Sequence, residues 1–128
     1  MMRVLNPRIH GYLDVVFIIC FILGPLAFGL GGTPALISFL LALTFLILTL
    51  MTRFPFGIVK KVPFVVHGLI ELAITIFTAL LPRLGGYSPG SPARQFFWAM
   101  AIALAIVWLL TDYREEPQSA RAPGKLPS

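Results

Sequence analysis

The 128-residue chain has little charge, few acids and one cysteine. Charged residues make up 12% of it, with five acids against ten lysines and arginines, whereas soluble domains have about 25%. Hydrophobic residues make up 58%. This composition excludes an ordinary soluble domain and indicates an integral membrane protein. The single cysteine, Cys20, excludes an internal disulfide.

The sequence also lacks the motifs that mark common enzyme sites. It has no His/Cys spacing of the closed zinc type, no nucleophile elbow and no glycine-rich phosphate loop, and Cys20 has no base at helical spacing. We therefore predict no enzymatic activity. The basic residues form no patch with interleaved aromatics, which argues against a nucleic-acid partner.

Four apolar runs, at positions 9–30, 34–51, 62–81 and 93–111, are each long enough to cross roughly 30 Å of hydrocarbon as a helix. The cations are divided unevenly between the two sides that these spans define. Only Arg83 and Arg94 fall on one side, and the other side has Arg3, Arg8, Arg53, Lys60, Lys61, Arg114, Arg121 and Lys125. Because cytoplasmic loops are enriched in Lys and Arg, we predict that both termini are cytoplasmic, as in a bacterial inner-membrane protein.

The two halves of the chain repeat one pattern. His10 and Gly11 open the first run, and His67 and Gly68 open the third run 57 positions later. An acid and a proline recur in the same register. The sequence predicts an all-α fold, an integral membrane four-helix bundle built from two tandem helical hairpins, 1–57 and 58–113, with pseudo-twofold symmetry. The polar, proline-rich segment 114–128 is predicted to be a disordered cytoplasmic tail.

The opening of the first half resembles a known pattern. Arg8, Tyr12 and Asp14 fall at its Arg-aromatic-polar opening, Pro25 falls on its proline, and Gly29 falls where a glycine is expected. The pattern is that of the SPW repeat, a two-helix membrane unit usually found duplicated. The Ser-Pro-Trp motif itself is replaced at 24–26 and at 81–83, so both of its tryptophans are missing. The resemblance implies a duplicated hairpin fold and no established activity.

The most informative residues are two His/acid pairs. His10 and Asp14 are four positions apart, as are His67 and Glu71, so each pair lies on one helix face. Ionisable groups inside a membrane are costly unless they are partnered, so these four residues are the candidate site. They fall in the first two turns of the first and third helices, where water and headgroups reduce that cost.

Three interpretations of these pairs stay open. In the first, each His pairs with its own acid or with a neighbouring charge, and the cluster locks the hairpins together. The protein is then a non-catalytic membrane scaffold or an accessory subunit of a larger complex, and it works as a homo-oligomer or within that complex in the lipid bilayer. The predicted structural cluster contains Arg8, Asp14, Arg53, Glu71 and Asp112.

In the second interpretation, His10 and His67 bind a cofactor. Both are candidates for the axial ligands of haem b. Alternatively, one of them is the ligand of a chlorophyll-type pigment. With Asp14 and Glu71 they form instead a nitrogen and oxygen site for iron, zinc or manganese. In the third interpretation, the two titratable pairs relay protons or ions across the membrane.

Overall fold

The computed structural model describes residues 4–113 and contains four helices: α1 Pro7–Ala27, α2 Gly32–Met51, α3 Phe64–Leu84 and α4 Pro92–Leu110. No strand forms within this part of the chain. Each helix is long and apolar enough to cross a membrane. The predicted all-α membrane bundle is therefore confirmed. The predicted disordered tail, 114–128, lies outside the described residues.

The helices pack as two antiparallel hairpins, α1 with α2 and α3 with α4, and α1 also contacts α4. Two helix starts are capped as their sequences favour. The Asn6 side chain accepts a hydrogen bond from the Ile9 amide, and Ser91 accepts one from the Arg94 amide. In the α1–α2 turn, Gly29 and Gly32 adopt φ values of +64° and +57°, which favour glycine.

Pro25 of α1 and Pro82 of α3 lie inside their helices rather than ending them. The third apolar run of the sequence ends at Leu81, but α3 continues through Pro82 to Leu84. Near a helix end, a proline removes one amide donor without forcing the chain out of helical geometry. In α1, Pro25 cannot bond the Phe21 carbonyl one turn earlier. The Ser38 hydroxyl of α2 donates to this carbonyl at 2.6 Å, so the neighbouring helix replaces the missing bond.

The pseudo-twofold symmetry is visible in the segments that flank the helices. Leu5, before α1, pairs with Thr111, after α4. Val62, before α3, pairs in the same parallel manner with Thr52, after α2. The first pairing joins the two ends of the described chain, since the Leu5 amide donates to Leu110 and the Asp112 amide donates to Leu5. The bundle is thus closed at one end, here called the paired end.

The interior has two layers. Most of its length is an apolar core dominated by phenylalanines. At the paired end, Phe54, Phe64 and Tyr113 form a second buried group, here called the aromatic cap. The four ionisable residues of the candidate site are packed against this cap.

Candidate metal centre

The fold brings the two His/acid pairs together. His10 and Asp14 on α1 meet His67 and Glu71 on α3, and all four side chains are 0% exposed. His10 Nε2 lies 3.2 Å from Asp14 Oδ1 and 2.9 Å from Glu71 Oε2. His67 Nε2 lies 3.0 Å from Asp14 Oδ2 and 3.3 Å from Glu71 Oε2. Each imidazole therefore faces both carboxylates, and we call this group the quartet.

Two threonines fix the orientation of the imidazoles. Thr111 Oγ1 lies 2.8 Å from His10 Nδ1, and Thr52 Oγ1 lies 2.7 Å from His67 Nδ1. Each hydroxyl donates its only proton to the carbonyl four residues earlier in its own helix. The threonine oxygens can therefore only accept from the rings, so both Nδ1 atoms are protonated. In a neutral imidazole of this tautomer, Nε2 has a lone pair, and it points into the quartet.

The centre of the quartet is under-bonded for a buried polar site. The contact from His10 Nε2 to Glu71 Oε2 has hydrogen-bond geometry. It forms only when His10 is protonated at both ring nitrogens, because a carboxylate oxygen can only accept. The other three short contacts are not hydrogen bonds. Among the described residues, both oxygens of Asp14, Oε1 of Glu71 and Nε2 of His67 have no hydrogen-bond partner. Buried polar atoms are rarely left unpartnered, so either a metal ion or protons on the imidazole Nε2 atoms must satisfy these carboxylates.

The spacing of the quartet fits a metal ion. One ligand atom from each residue lies within 4.8 Å of the other three. The four nitrogen-to-oxygen distances span 2.9 to 3.3 Å. A tetrahedral ion with bonds of about 2.0 Å has edges of about 3.3 Å between its ligands. The threonines supply the outer hydrogen bonds that metal-binding histidines usually have.

One hydrogen bond breaks the symmetry of the site. The Tyr113 hydroxyl donates to Glu71 Oε2 at 3.1 Å. Burial, with the Glu71 charge beside it, raises the pKa of this phenol, so it stays protonated and remains a donor. Phe54 is the equivalent residue after α2 and has no hydroxyl. Asp14 therefore lacks the donor that Glu71 has, which explains part of its unpartnered state.

The aromatic cap shields the quartet at the paired end. The Phe64 ring contacts both imidazoles, with centroids 5.4 and 5.6 Å away. Two glycines give the cap its close approach to the helices. A Cβ at Gly68 would lie 2.7 Å from the Tyr113 ring, and one at Gly11 would collide with Phe56. The glycine after each histidine thus makes room for an aromatic ring.

The charged residues predicted as partners, Arg8, Arg53 and Asp112, all lie at the paired end of the bundle. Arg8 is exposed. Arg53 is half-buried and donates to the Lys60 carbonyl, and Asp112 is half-buried with its amide on Leu5. Sequence reasoning missed the neutral partners Thr52, Thr111 and Tyr113. The sequence contains one signal for them: a Thr, followed two residues later by an aromatic residue, occurs after both α2 and α4.

The geometry favours an ion over a macrocycle. The two imidazole centroids are 5.4 Å apart in an edge-to-face arrangement, and the carboxylates occupy the space between the Nε2 atoms. A haem with two axial histidines needs its iron and macrocycle in that position.

Fold and site together define an all-α membrane protein with a buried two-histidine, two-carboxylate cluster that can hold a metal. Comparison with family models, curated proteins and solved structures gives no match.

Proposed function

We propose that this protein is an integral membrane protein that binds one divalent transition-metal ion at the quartet, and that the ion joins its two hairpins. The observation that carries the proposal is the convergence of four buried ligand atoms from two helices, with both Nδ1 atoms held by threonine hydroxyls so that both Nε2 atoms face the carboxylates.

The chemistry of the donors narrows the choice of ion. Two imidazole nitrogens and two carboxylate oxygens suit zinc, iron(II) and manganese(II), and a thiolate is not among them. Two neutral imidazoles and two carboxylates have two negative charges in total, which a divalent ion neutralises. A buried site that is neutral when loaded avoids the cost of an uncompensated charge in the membrane.

A structural lock is the second candidate function. If both imidazoles are protonated, the same four short contacts become ion pairs. Two of them, His10–Glu71 and His67–Asp14, join α1 to α3, so the quartet joins the hairpins without a metal. In this case the protein is a scaffold or an accessory subunit of a membrane complex. The observation in favour is that each imidazole contacts an acid of the other hairpin.

Translocation has less support. Between Glu71 and Arg83, the polar side chains of α3 are Thr75 and Thr78, and both hydroxyls donate to carbonyls of their own helix. The core beyond them is apolar. A proton path through the bundle therefore has few available carriers in the described residues.

The test is metal analysis of the protein purified in mild detergent. We expect about one metal ion per chain by elemental analysis, either as purified or after chelation and reloading with zinc, iron(II) or manganese(II). The variants His67→Gln and Glu71→Gln should lose the ion. Cys20→Ala is the matched control, because Cys20 is half-buried in the core outside the quartet and its thiol is the strongest alternative ligand.

The two candidates give different results. A helical protein that takes up no metal under any of these conditions, and that loses thermal stability on Glu71→Gln substitution, contradicts the metal centre and supports the structural lock. Circular dichroism of each variant shows whether the bundle is still folded when its metal content is measured.

A further inference from the structure

We propose a second site, unrelated to the quartet, in which the second hairpin binds one anionic phospholipid. Arg83 and Arg94 hold the phosphate in a cavity at the α3–α4 loop, and one acyl chain lies in an apolar groove between α3 and α4. Two adjoining cavities of the second hairpin share one side chain, and several residues that line them differ from those at the matching positions of the first hairpin.

The first cavity is basic and lies at the end of the bundle opposite the quartet. It has a volume of about 380 Å³, and its wall includes Arg83, Arg94, Tyr87, Ser88 and Trp98. Among the described residues that line it, none is acidic. Its two arginines are the two cations that fall on the opposite side of the predicted spans from the other eight. Guanidinium groups bind phosphate oxygens through paired N–H donors, so an anion is the ligand that this cavity fits.

The second cavity is an apolar groove at membrane depth. It has a volume of about 390 Å³ and is lined by Ala79 and Thr75 of α3 and by Ala101, Ala105 and Trp98 of α4, with two isoleucines beside them. The Thr75 hydroxyl already donates to the Glu71 carbonyl. The groove therefore presents no hydrogen-bonding group that needs a partner, which suits a hydrocarbon chain.

Trp98 connects the two cavities. It lines both, is 43% exposed, and its ring lies 4.2 Å from the Arg94 guanidinium carbon in a cation–π contact. Tryptophan is enriched where headgroups meet hydrocarbon. A ligand that occupies both cavities must be anionic at one end and apolar at the other, which is the chemistry of a phospholipid and not of a free anion.

The two arginines and two of the alanines that form this site do not recur at the matching positions of the first hairpin. The buried residues Leu41, Ala42 and Phe45 of α2 recur 59 positions later as Met100, Ala101 and Leu104 of α4, and α1 recurs in α3 after 57 positions. In this register Ala79 and Ala105 replace Ile22 and Leu46. Arg83 and Arg94 replace Leu26 and Ala35. Compared with the first hairpin, the second hairpin thus has smaller side chains along the groove and two additional cations at its end.

The experiment is native mass spectrometry of the delipidated full chain in detergent, with phosphatidylglycerol and phosphatidylcholine of identical acyl chains. We expect phosphatidylglycerol to bind about tenfold more tightly, because each nearby cation strengthens binding of anionic lipid. The double variant Arg83→Gln/Arg94→Gln should remove this preference. The double variant Ala79→Ile/Ala105→Leu, which copies the first hairpin, should weaken binding of both lipids about fivefold or more.

A charge-matched control and a soluble anion complete the test. Lys60→Gln/Lys61→Gln removes two exposed cations at the paired end and should leave lipid binding unchanged. Inorganic phosphate should not displace the lipid at concentrations equal to those of the lipid. Equal binding of the two lipids, an equal effect of the lysine variant, or displacement by inorganic phosphate overturns the proposal. Insensitivity to Ala79→Ile/Ala105→Leu overturns the acyl-chain groove.

Discussion

At the scale of single residues, the threonines determine what the histidines can do. The hydroxyls of Thr52 and Thr111 donate to backbone carbonyls, so each hydroxyl oxygen accepts from a histidine Nδ1. The Nε2 atom of each histidine therefore faces the two carboxylates. A serine or a water could supply the same oxygen. A threonine just past a helix end, bonded back into the last turn, holds that oxygen in one position.

Replacing Thr52 with valine is expected to raise the dissociation constant for zinc about 10- to 100-fold, because such outer hydrogen bonds orient metal-binding histidines. A competition titration with a chromophoric chelator measures it. The control is Thr44→Val, since Thr44 makes the same bond to the carbonyl four residues earlier but is exposed. Equal affinities of these two variants would contradict the role given to Thr52.

Replacing Tyr113 with phenylalanine is expected to weaken zinc binding about tenfold, because Glu71 loses its donor while the ring packing persists. The fold should tolerate this change, since Phe54 already occupies the equivalent position beside Gly11. The same titration measures the effect. An unchanged affinity would mean that the Tyr113 hydroxyl does not orient the carboxylate.

The quartet could be predicted from the sequence, whereas the contacts that its neutral partners make could not. A His and an acid four residues apart identify one helix face, and their recurrence predicts that two such faces meet. The threonine contact of His10 joins residues 101 positions apart. It depends on the pairing of Leu5 with Thr111. This pairing joins the two ends of the described chain and produces no local periodicity in the sequence.

At the scale of helices, Ser38 shows how the first hairpin tolerates a proline at membrane depth. Pro25 frees the Phe21 carbonyl, and the Ser38 hydroxyl donates to it from α2. In the sequence, a proline within the first apolar run predicts a freed carbonyl that needs a partner, and Ser38 with Ala42 predicts a small-residue packing face in the second run. The sequence could not show that these were one feature, because the relative rotation of two helices is set by packing.

Replacing Ser38 with alanine is expected to destabilise the protein by about 1 to 3 kcal/mol, because the Phe21 carbonyl is then buried without a donor. Thermal unfolding in detergent measures the loss. Thr44→Val again serves as control, because it removes a hydroxyl from the exposed side of the same helix. No loss relative to that control would show that the carbonyl is satisfied otherwise.

At the scale of the whole molecule, the quartet joins two hairpins whose helices otherwise pack mainly within each hairpin. The doubled architecture followed from the repeated pattern, and the paired segments before α1 and α3 bear it out. The resemblance to the SPW repeat, the cytoplasmic termini and any partner subunit stay predictions. The orientation of the termini depends on the lipid environment, and a partner subunit depends on other chains.

Loading the metal is expected to stabilise the fold. At a free ion concentration 100 times the dissociation constant, binding adds about 2.7 kcal/mol to the free energy of unfolding. Differential scanning calorimetry of chelated and zinc-loaded protein measures the rise in unfolding temperature, and His67→Gln should show none. An equal rise in that variant would place the ion outside the quartet.

X-ray absorption spectroscopy of the zinc-loaded protein tests the central claim most directly. Metal binding at the quartet predicts a first shell of nitrogen and oxygen at about 2.0 to 2.1 Å, with the outer-shell scattering of two imidazoles per ion. A sulfur ligand, or a shell with no imidazole, would contradict it.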